Sequence, residues 1–416
     1  MGHFNNQSLR IVYAAGPGDV IGTYHHWKQG RDDPSQVNLT LSGMFYDSCR
    51  EHGDKAYVIS TCDKVGAIQD GDFLIVQRPR FLSRATGWLY HVGQVLAALR
   101  LMAAAIWFQA DVLVIVCGTC HWFPLRLLPL FGIDVVASLH CVPWLKYQPI
   151  RSLPRFIRRL NGSFFSRSVH RILSMSDDVS DQVKVMTHSH QRAILPFLPT
   201  YRSEDFASLK PPDFSARPFR VFYAGRIESD KGVFDLLDIA RRFKAQGIKD
   251  VVFDVCGRGG AFDELKAGAD AAGVTDQLLL HGYCNRPKMR EMFEQSHVVI
   301  VPTRSNFVEG FNQVVSEAVL AGRPVITSAV CPAIQYVGDA AYEVPVDDAQ
   351  AYGDAILALL NQPELYRRKA AACTQVSGPF YDLSRGWGEA LRRALEPLRA
   401  KSAVPAQLAE VESWAC

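Results

Sequence analysis

The sequence predicts an α/β protein of two doubly wound, Rossmann-like domains that face each other across a cleft. Three observations carry that reading. Short apolar, β-branched runs alternate with amphipathic helical stretches from end to end, which implies parallel sheets covered on both faces. A Pro-rich break (Pro196, Pro199, Pro211, Pro212 and Pro218) divides the alternation into two sets. The 416 residues, 48% of them hydrophobic, can close two separate cores.

The first set of strands is expected at Arg10–Ala14, Ala56–Ser60, Asp72–Gln77, Val112–Val116, Val135–Leu139 and Arg171–Ser174, each a short run rich in apolar or β-branched residues. Helical spacing of apolar residues fills the intervals at Gln36–His52, Gly87–Phe108, Arg151–Phe165 and Asp177–Met186. After the break the rhythm restarts at Phe219–Ala224. It continues through Val251–Cys256, Gln277–His281, Val298–Pro302 and Pro324–Thr327, with helices between. The domains expected are therefore 1–200 and 201–382, followed by a helix over 383–398 that carries Trp387. The tail 399–416 is small and polar and is expected to be poorly ordered.

The longest apolar stretch, Val92 to Val116, is interrupted by Arg100, Gln109 and Asp111 and reads as a helix followed by a strand. No segment is expected to span a membrane, and MGHFNNQSLR lacks the apolar core of a signal peptide. The ten cysteines lie mostly inside apolar runs, as the reduced, buried thiols of a cytoplasmic protein would.

A net charge of +3 excludes a supercharged nucleic-acid binder, but it conceals a division. Residues 1–200 carry 20 Lys+Arg and 14 Asp+Glu, against 25 and 28 in the remainder. No acidic residue occurs from Val135 to Ser176, where Lys146, Arg151, Arg155, Arg158, Arg159, Arg167 and Arg171 are interleaved with Trp144, Tyr147, Phe156, Phe164 and Phe165. Basic residues alternating with aromatics on an amphipathic helix fit anionic lipid headgroups, so residues 144–171 are expected to dock on the inner face of a membrane. An anionic saccharide fits the same charges, and a solvated helix face with its aromatics in the core is the plainer reading.

The second half carries the chemistry. The strand ending at Ala224 runs into Gly225-Arg226-Ile227-Glu228-Ser229-Asp230-Lys231-Gly232 and then a helix. Two cations beyond a strand's carboxyl end stand where open parallel sheets bind ligands, and the pair suits a diphosphate. Farther on, a loop carries Glu309 and Gly310, and a helix beginning near Asn312 carries Glu317. The amides of Phe311, Asn312 and Gln313 would face an anion at that helix start. Glu317 is flanked by Val314, Val315, Ala318 and Val319, reads as partly buried, and so needs partners.

At these residues the sequence resembles the family-four retaining glycosyltransferases, which have the GT-B architecture. The resemblance covers the whole second half, where Val255-Cys256-Gly257-Arg258-Gly259, Leu280-His281-Gly282-Tyr283 and Ala321-Gly322-Arg323-Pro324 stand in the family's order. It implies a donor site made by Gly225, Arg226, Lys231, Gly257, Tyr283, Glu309, Gly310, Phe311, Asn312, Gln313 and Glu317, with Gly18 from the first half. Arg226 and Lys231 would neutralise the leaving nucleotide diphosphate, so no metal or other cofactor is required. Glu317 would hold the ribose hydroxyls, Glu309 the donor sugar, and Tyr283 the base. The helix 383–398 would cross back onto the first, acceptor-binding domain.

The first half matches more loosely. His140 ends a strand where the family keeps a histidine facing the donor sugar, although Cys141 replaces the family's following Asp. Gly18 follows the first strand, where glycines would let backbone approach the phosphates. His25, His26 and Trp27 lie in what reads as a long loop, which is assigned to the acceptor. Asp70-Gly71-Asp72 has the spelling of a metal-binding Asp-x-Asp but reads as a turn. Cys117-Gly118-Thr119-Cys120-His121 spells a c-type haem attachment motif, yet follows a buried strand with no distal ligand evident. The expectation is a cytoplasmic transferase that moves a sugar from a nucleotide-diphospho-sugar to a lipid-linked or saccharide acceptor, with no nucleic-acid partner. The alternative is a non-catalytic nucleotide-sugar-binding partner or scaffold of the same fold. A nicotinamide dehydrogenase fails for want of Gly-x-Gly-x-x-Gly after a strand.

Overall fold

The computed structural model describes residues 8–80, 86–150, 152–211 and 213–402. In the first domain β1 (Arg10–Pro17), β2 (Lys55–Thr61), β3 (Gly66–Asp70), β4 (Phe73–Arg78), β5 (Val112–Val116), β6 (Asp134–Leu139), β7 (Arg171–Ser174) and β8 (Ile194–Pro196) form one sheet in the order β3-β4-β2-β1-β5-β6-β7-β8. Every pairing is parallel except β3 on β4, an edge hairpin turned by Asp70-Gly71-Asp72 with Gly71 at φ +55°. In that turn Asp70 pairs with Lys28. Simple alternation does not foretell β3, because Gly66–Asp70 holds only Ala67 and Ile68 as apolar residues.

The second sheet is wholly parallel. It contains β9 (Phe219–Ala224), β10 (Val251–Cys256), β11 (Leu278–Gly282), β12 (Val298–Val301), β13 (Val325–Ser328) and β14 (Ala341–Val344), ordered β11-β10-β9-β12-β13-β14.

Helices cover both faces of each sheet, as strands without polar alternation demand. On the first sheet α1 (Val20–Lys28) and α2 (Leu41–His52) pack on one face. On the other lie α3 (Gly87–Trp107), a 3-10 helix at Phe123–Phe131, α4 (Ser152–Arg167) and α5 (Asp177–Thr187). On the second sheet α6 (Val233–Ala245) and α7 (Phe262–Ala272) share a face; α8 (Arg286–Gln295), α9 (Gln313–Leu320) and α10 (Ile334–Val337) take the opposite one. Next come α11 (Ala349–Asn361), on the face of α6, then α12 (Pro363–Val376) and α13 (Gly378–Tyr381). Finally α14 (Trp387–Ser402) crosses back onto the first domain. Trp387 is fully buried there beside Tyr13 (5.9 Å between ring centres), in one cluster with Phe45, Leu391 and Leu395.

Several expectations are corrected. The segment holding His25, His26 and Trp27 is not a long loop but the last turns of α1, which Asp19 caps by accepting from the Gly22 amide at 2.8 Å. Residues 399–402 are helical rather than part of a loose tail. Arg399 is buried and donates twice to Asp54, both contacts at 2.6 Å; residues 403–416 lie outside the described residues. Not all thiols are free: Cys256 and Cys284 form a disulfide, because the ends of the neighbouring strands β10 and β11 bring their Cα atoms to 5.8 Å. The basic stretch 144–171 is not one surface. Phe164 and Phe165 belong to the core, Lys146 pairs with Asp178, and Tyr147 donates to the Ala329 carbonyl of the other domain at 2.9 Å. Arg151 lies outside the described residues.

Candidate active site

The candidate site is built from loops that leave the carboxyl ends of both sheets. After β9 the chain turns through Gly225 and Arg226, and Tyr223 fixes this loop by donating to the Arg226 carbonyl at 2.8 Å. Gly257, at the end of β10, sits so close that a Cβ there would lie 1.7 Å from the Gly225 carbonyl oxygen. Gly232 has φ +73°, and a Cβ would lie 2.0 Å from the Pro302 carbonyl oxygen. Both positions therefore demand glycine. The second contact draws Lys231 against the loop after β12.

There Lys231 Nζ meets Glu309 Oε2 at 2.7 Å, both side chains nearly buried. Asn312, held at φ +72° as the N-cap residue of α9, donates its amide to the same oxygen at 3.0 Å, and the Thr303 hydroxyl lies at 3.5 Å. Oε1 of Glu309 has no hydrogen-bond partner among the described residues. Phe307 lies under both cations, with Lys231 Nζ 3.6 Å and Arg226 Cζ 5.3 Å from the ring centre. Neither Phe307 nor Thr303 was singled out by the sequence, although both lie in the loop that carries Glu309.

The other domain arrives through Gly310. A Cβ on this residue would lie 1.8 Å from the His140 carbonyl oxygen, so the loop of Glu309 rests directly on the end of β6. A second bridge runs from Gln148 to the Ser305 hydroxyl at 3.1 Å. The His140 ring is fixed from behind: Trp387 Nε1 is 2.8 Å from Ser138 Oγ, which is 2.8 Å from His140 Nε2. Indole N–H only donates, so the serine oxygen accepts from it. The serine hydrogen is satisfied when it is given to Nε2, which leaves the imidazole hydrogen on Nδ1. Burial lowers the His140 pKa to about 4, so the ring is neutral at pH 7. Behind it a hydrogen bond from the Cys141 thiol holds Cys117 below the ordinary thiol range, against the opposing effect of burial. The sequence offered one signal for this network, a serine inside the otherwise apolar run Val135–Leu139.

Glu317 is buried in α9, its carboxylate has no hydrogen-bond partner among the described residues, and desolvation raises its pKa to about 7. At the start of that helix none of the amides of Phe311, Asn312 and Gln313 donates to another described group. Other expected residues stand apart from the Lys231–Glu309 pair. Tyr283 is exposed beyond β11, one residue before the disulfide. The Gly18 amide is already given to the Thr61 carbonyl at 3.1 Å, so the nearness to phosphate expected of it lacks a free donor. Trp27 packs on Tyr24, Tyr46 and Phe73 and donates to Asp47 at 2.9 Å. It lines a cavity of about 740 Å³ between α1, α2 and α14, in which Arg50, Arg202 and Arg392 are paired with Asp47, Asp32 and Glu389. Cys120 of the haem-like motif is buried, whereas His121 stacks on His91 with ring centres 5.3 Å apart.

Residues 207–375, which contain this cluster's cations and both carboxylates, match the family model described as glycosyl transferases group 1. That segment is similar to the group 1 glycosyl transferases. Two curated glycosyltransferases are also similar in sequence. A D-inositol 3-phosphate glycosyltransferase of Xylanimonas cellulosilytica is 32% identical over 179 residues, 42% of this chain and 41% of that protein. A 2-deoxystreptamine N-acetyl-D-glucosaminyltransferase of Streptomyces fradiae is 25% identical over 288 residues, 65% of each. The chain thus matches about two fifths of the first relative's length and under two thirds of the second's. Among solved structures, the sucrose-phosphate synthase of Thermosynechococcus elongatus superposes with a TM-score of 0.69 at 14% identity, over 95% of this chain and 100% of that one. The trehalose 6-phosphate synthase of Burkholderia multivorans gives 0.70 at 15% identity, over 95% and 100%. The fold of the whole chain is GT-B.

Proposed function

We propose that the protein is a retaining, metal-independent glycosyltransferase that moves a sugar from a nucleotide-diphospho-sugar to a lipid-linked or saccharide acceptor. One observation carries the reading. The Lys231–Glu309–Asn312 cluster lies beside Arg226 in one domain and rests, through Gly310, on His140 of the other. Arg226 and Lys231 supply positive charge where a diphosphate would gather negative charge as its bond to the anomeric carbon breaks. Glu309, anchored through Oε2, offers Oε1 to the donor sugar's hydroxyls. The open amides at the start of α9 face the same anion. Glu317, a buried carboxylate awaiting donors, suits the ribose hydroxyls. The acceptor oxygen then bonds to the anomeric carbon on the face the diphosphate leaves, and its proton passes to the departing phosphate oxygen. The two cations make no metal necessary to this scheme, and nothing in it places the protein outside the cytoplasm.

The test is a thermal-shift screen of UDP, GDP, ADP and dTDP and their sugar conjugates in the presence of chelator, followed by product analysis with the best donor. A ligand at a hundred times its dissociation constant raises stability by about 2.7 kcal/mol. Turnover with net retention at the anomeric centre supports the proposal. Nucleotide binding without turnover for any acceptor would identify a binding partner or scaffold instead.

A further inference from the structure

The helical layer formed by α3, the 3-10 helix Phe123–Phe131 and α4 has an apolar outside. Helix α3 turns Gly93, Gln94, Ala98, Leu101, Met102 and Ala105 to the sheet. The opposite stripe of a surface helix is ordinarily polar. Here it reads Trp88, Val92, Leu96, Leu99 and Ile106, at helical spacing and all exposed, with Trp107 69% exposed at the end. The 3-10 helix packs between α3 and α4 and continues the patch with Leu130 (80% exposed) and Phe131 (58%), and α4 adds Leu153 and Phe156. By length and composition α3 could cross a membrane, yet it is the crossover from β4 to β5 and its inner stripe is spent on the sheet.

The charge around this patch selects its partner. From Phe73 to Ser176 the chain has twelve Lys and Arg and only two acidic residues, Asp111 and Asp134. Asp111 accepts from the Arg10 amide, and Asp134 lies 3.8 Å from the His170 ring. Arg126, Arg155 and Arg159 are exposed beside the apolar residues, on the same layer. Apolar side chains with tryptophan at both ends, fringed by arginine and almost free of carboxylate, complement a bilayer whose headgroups are anionic.

We propose that this layer is a membrane-docking face that lies on anionic bilayers with the stripe of α3, Leu130 and Phe131 sunk among the headgroups. It differs from the stretch the sequence pointed to, sharing only α4 with it. The N-terminal end of α3 follows the carboxyl end of β4, so the face reaches the rim at which His140 stands. The inference is independent of the transferase reading, whose nucleotide test needs no lipid.

The experiment is flotation of the intact chain with vesicles of phosphatidylcholine alone and with about one quarter phosphatidylglycerol. The chain is expected to float with the anionic vesicles. Leu130→Glu/Phe131→Glu and, separately, Trp107→Glu should cut the bound fraction by about tenfold or more. Arg126→Gln/Arg155→Gln/Arg159→Gln should weaken binding to the anionic vesicles and flatten its salt dependence. All these side chains are exposed, and unchanged thermal melts establish that the variants fold. Failure of the intact chain to float overturns the proposal, as does flotation that survives the Leu130/Phe131 exchange. A dimer that those substitutions dissociate, in a chain that does not float, would assign the face to a second copy and overturn it equally.

Discussion

Lys231 and Glu309 hold each other in a place that little water reaches, and the energetics of such pairs are lopsided. Removing one partner leaves a buried charge uncompensated, while replacing both by neutral groups costs far less. Lys231→Met should therefore lower stability by about 2–4 kcal/mol. Lys231→Met/Glu309→Gln should recover most of that in a denaturant titration and still be inactive. If the double variant is no more stable than the single one, the pair does not organise the loop. Glu317 makes a separate prediction. Its carboxyl rises to about 7 in the fold from an ordinary 4.5, so the native state binds the extra proton. Its contribution favours folding at low pH and is lost as the pH climbs from about 4.5 to about 7. Ribose hydroxyls would donate to the ionised form, so nucleotide affinity should weaken as pH falls below 7, by at most about tenfold per unit. Calorimetry across this range should find the slope in the native protein and a flat profile in Glu317→Gln. A slope that persists in the variant would remove Glu317 from the site.

The secondary-structure elements show what could be read from residues and what could not. The strands of both sheets were legible wherever a run of four or more β-branched or apolar residues stood alone, and α9 was legible from its loop and apolar face. Residues Val20–Lys28 read as loop because glycine and proline at Gly16, Pro17 and Gly18 look like a continuing turn. In fact Asp19 stops the loop and starts a helix. The Cys256–Cys284 bond was out of reach, since it depends on which strands are neighbours and not on the sequence separation of 28 between the cysteines. The same holds for the Trp387–Ser138–His140 chain, whose ends are 249 and 2 positions from the serine. That chain predicts the neutral His140 tautomer with hydrogen on Nδ1, observable by nitrogen NMR of 15N-histidine-labelled protein. Ser138→Ala should release this preference. A native signal for hydrogen on Nε2 would contradict the assignment.

At the scale of the whole molecule, the two domains meet where the only side chain that fits is a hydrogen atom. Gly310→Ala would set a methyl against the His140 carbonyl, and the loop cannot retreat without pulling Glu309 from Lys231. The variant should bind nucleotide almost normally, since the cations lie within one domain. Its turnover should fall by about a hundredfold, because the two domains no longer register. Equal losses of binding and turnover would show that the residue acts inside the donor domain alone.

The crossing of α14 onto the first sheet has a consequence for how the chain is made. Tyr13 and Phe45 leave the ribosome early, but the side chains that complete their core are Trp387, Leu391 and Leu395, and the partner of Asp54 is Arg399. The second domain can close once its own strands and the α11 and α12 side chains that complete its core, such as Ile356, Leu359 and Tyr366, have emerged. The domain that is synthesised first must therefore wait, its apolar floor uncovered, and be the last to finish.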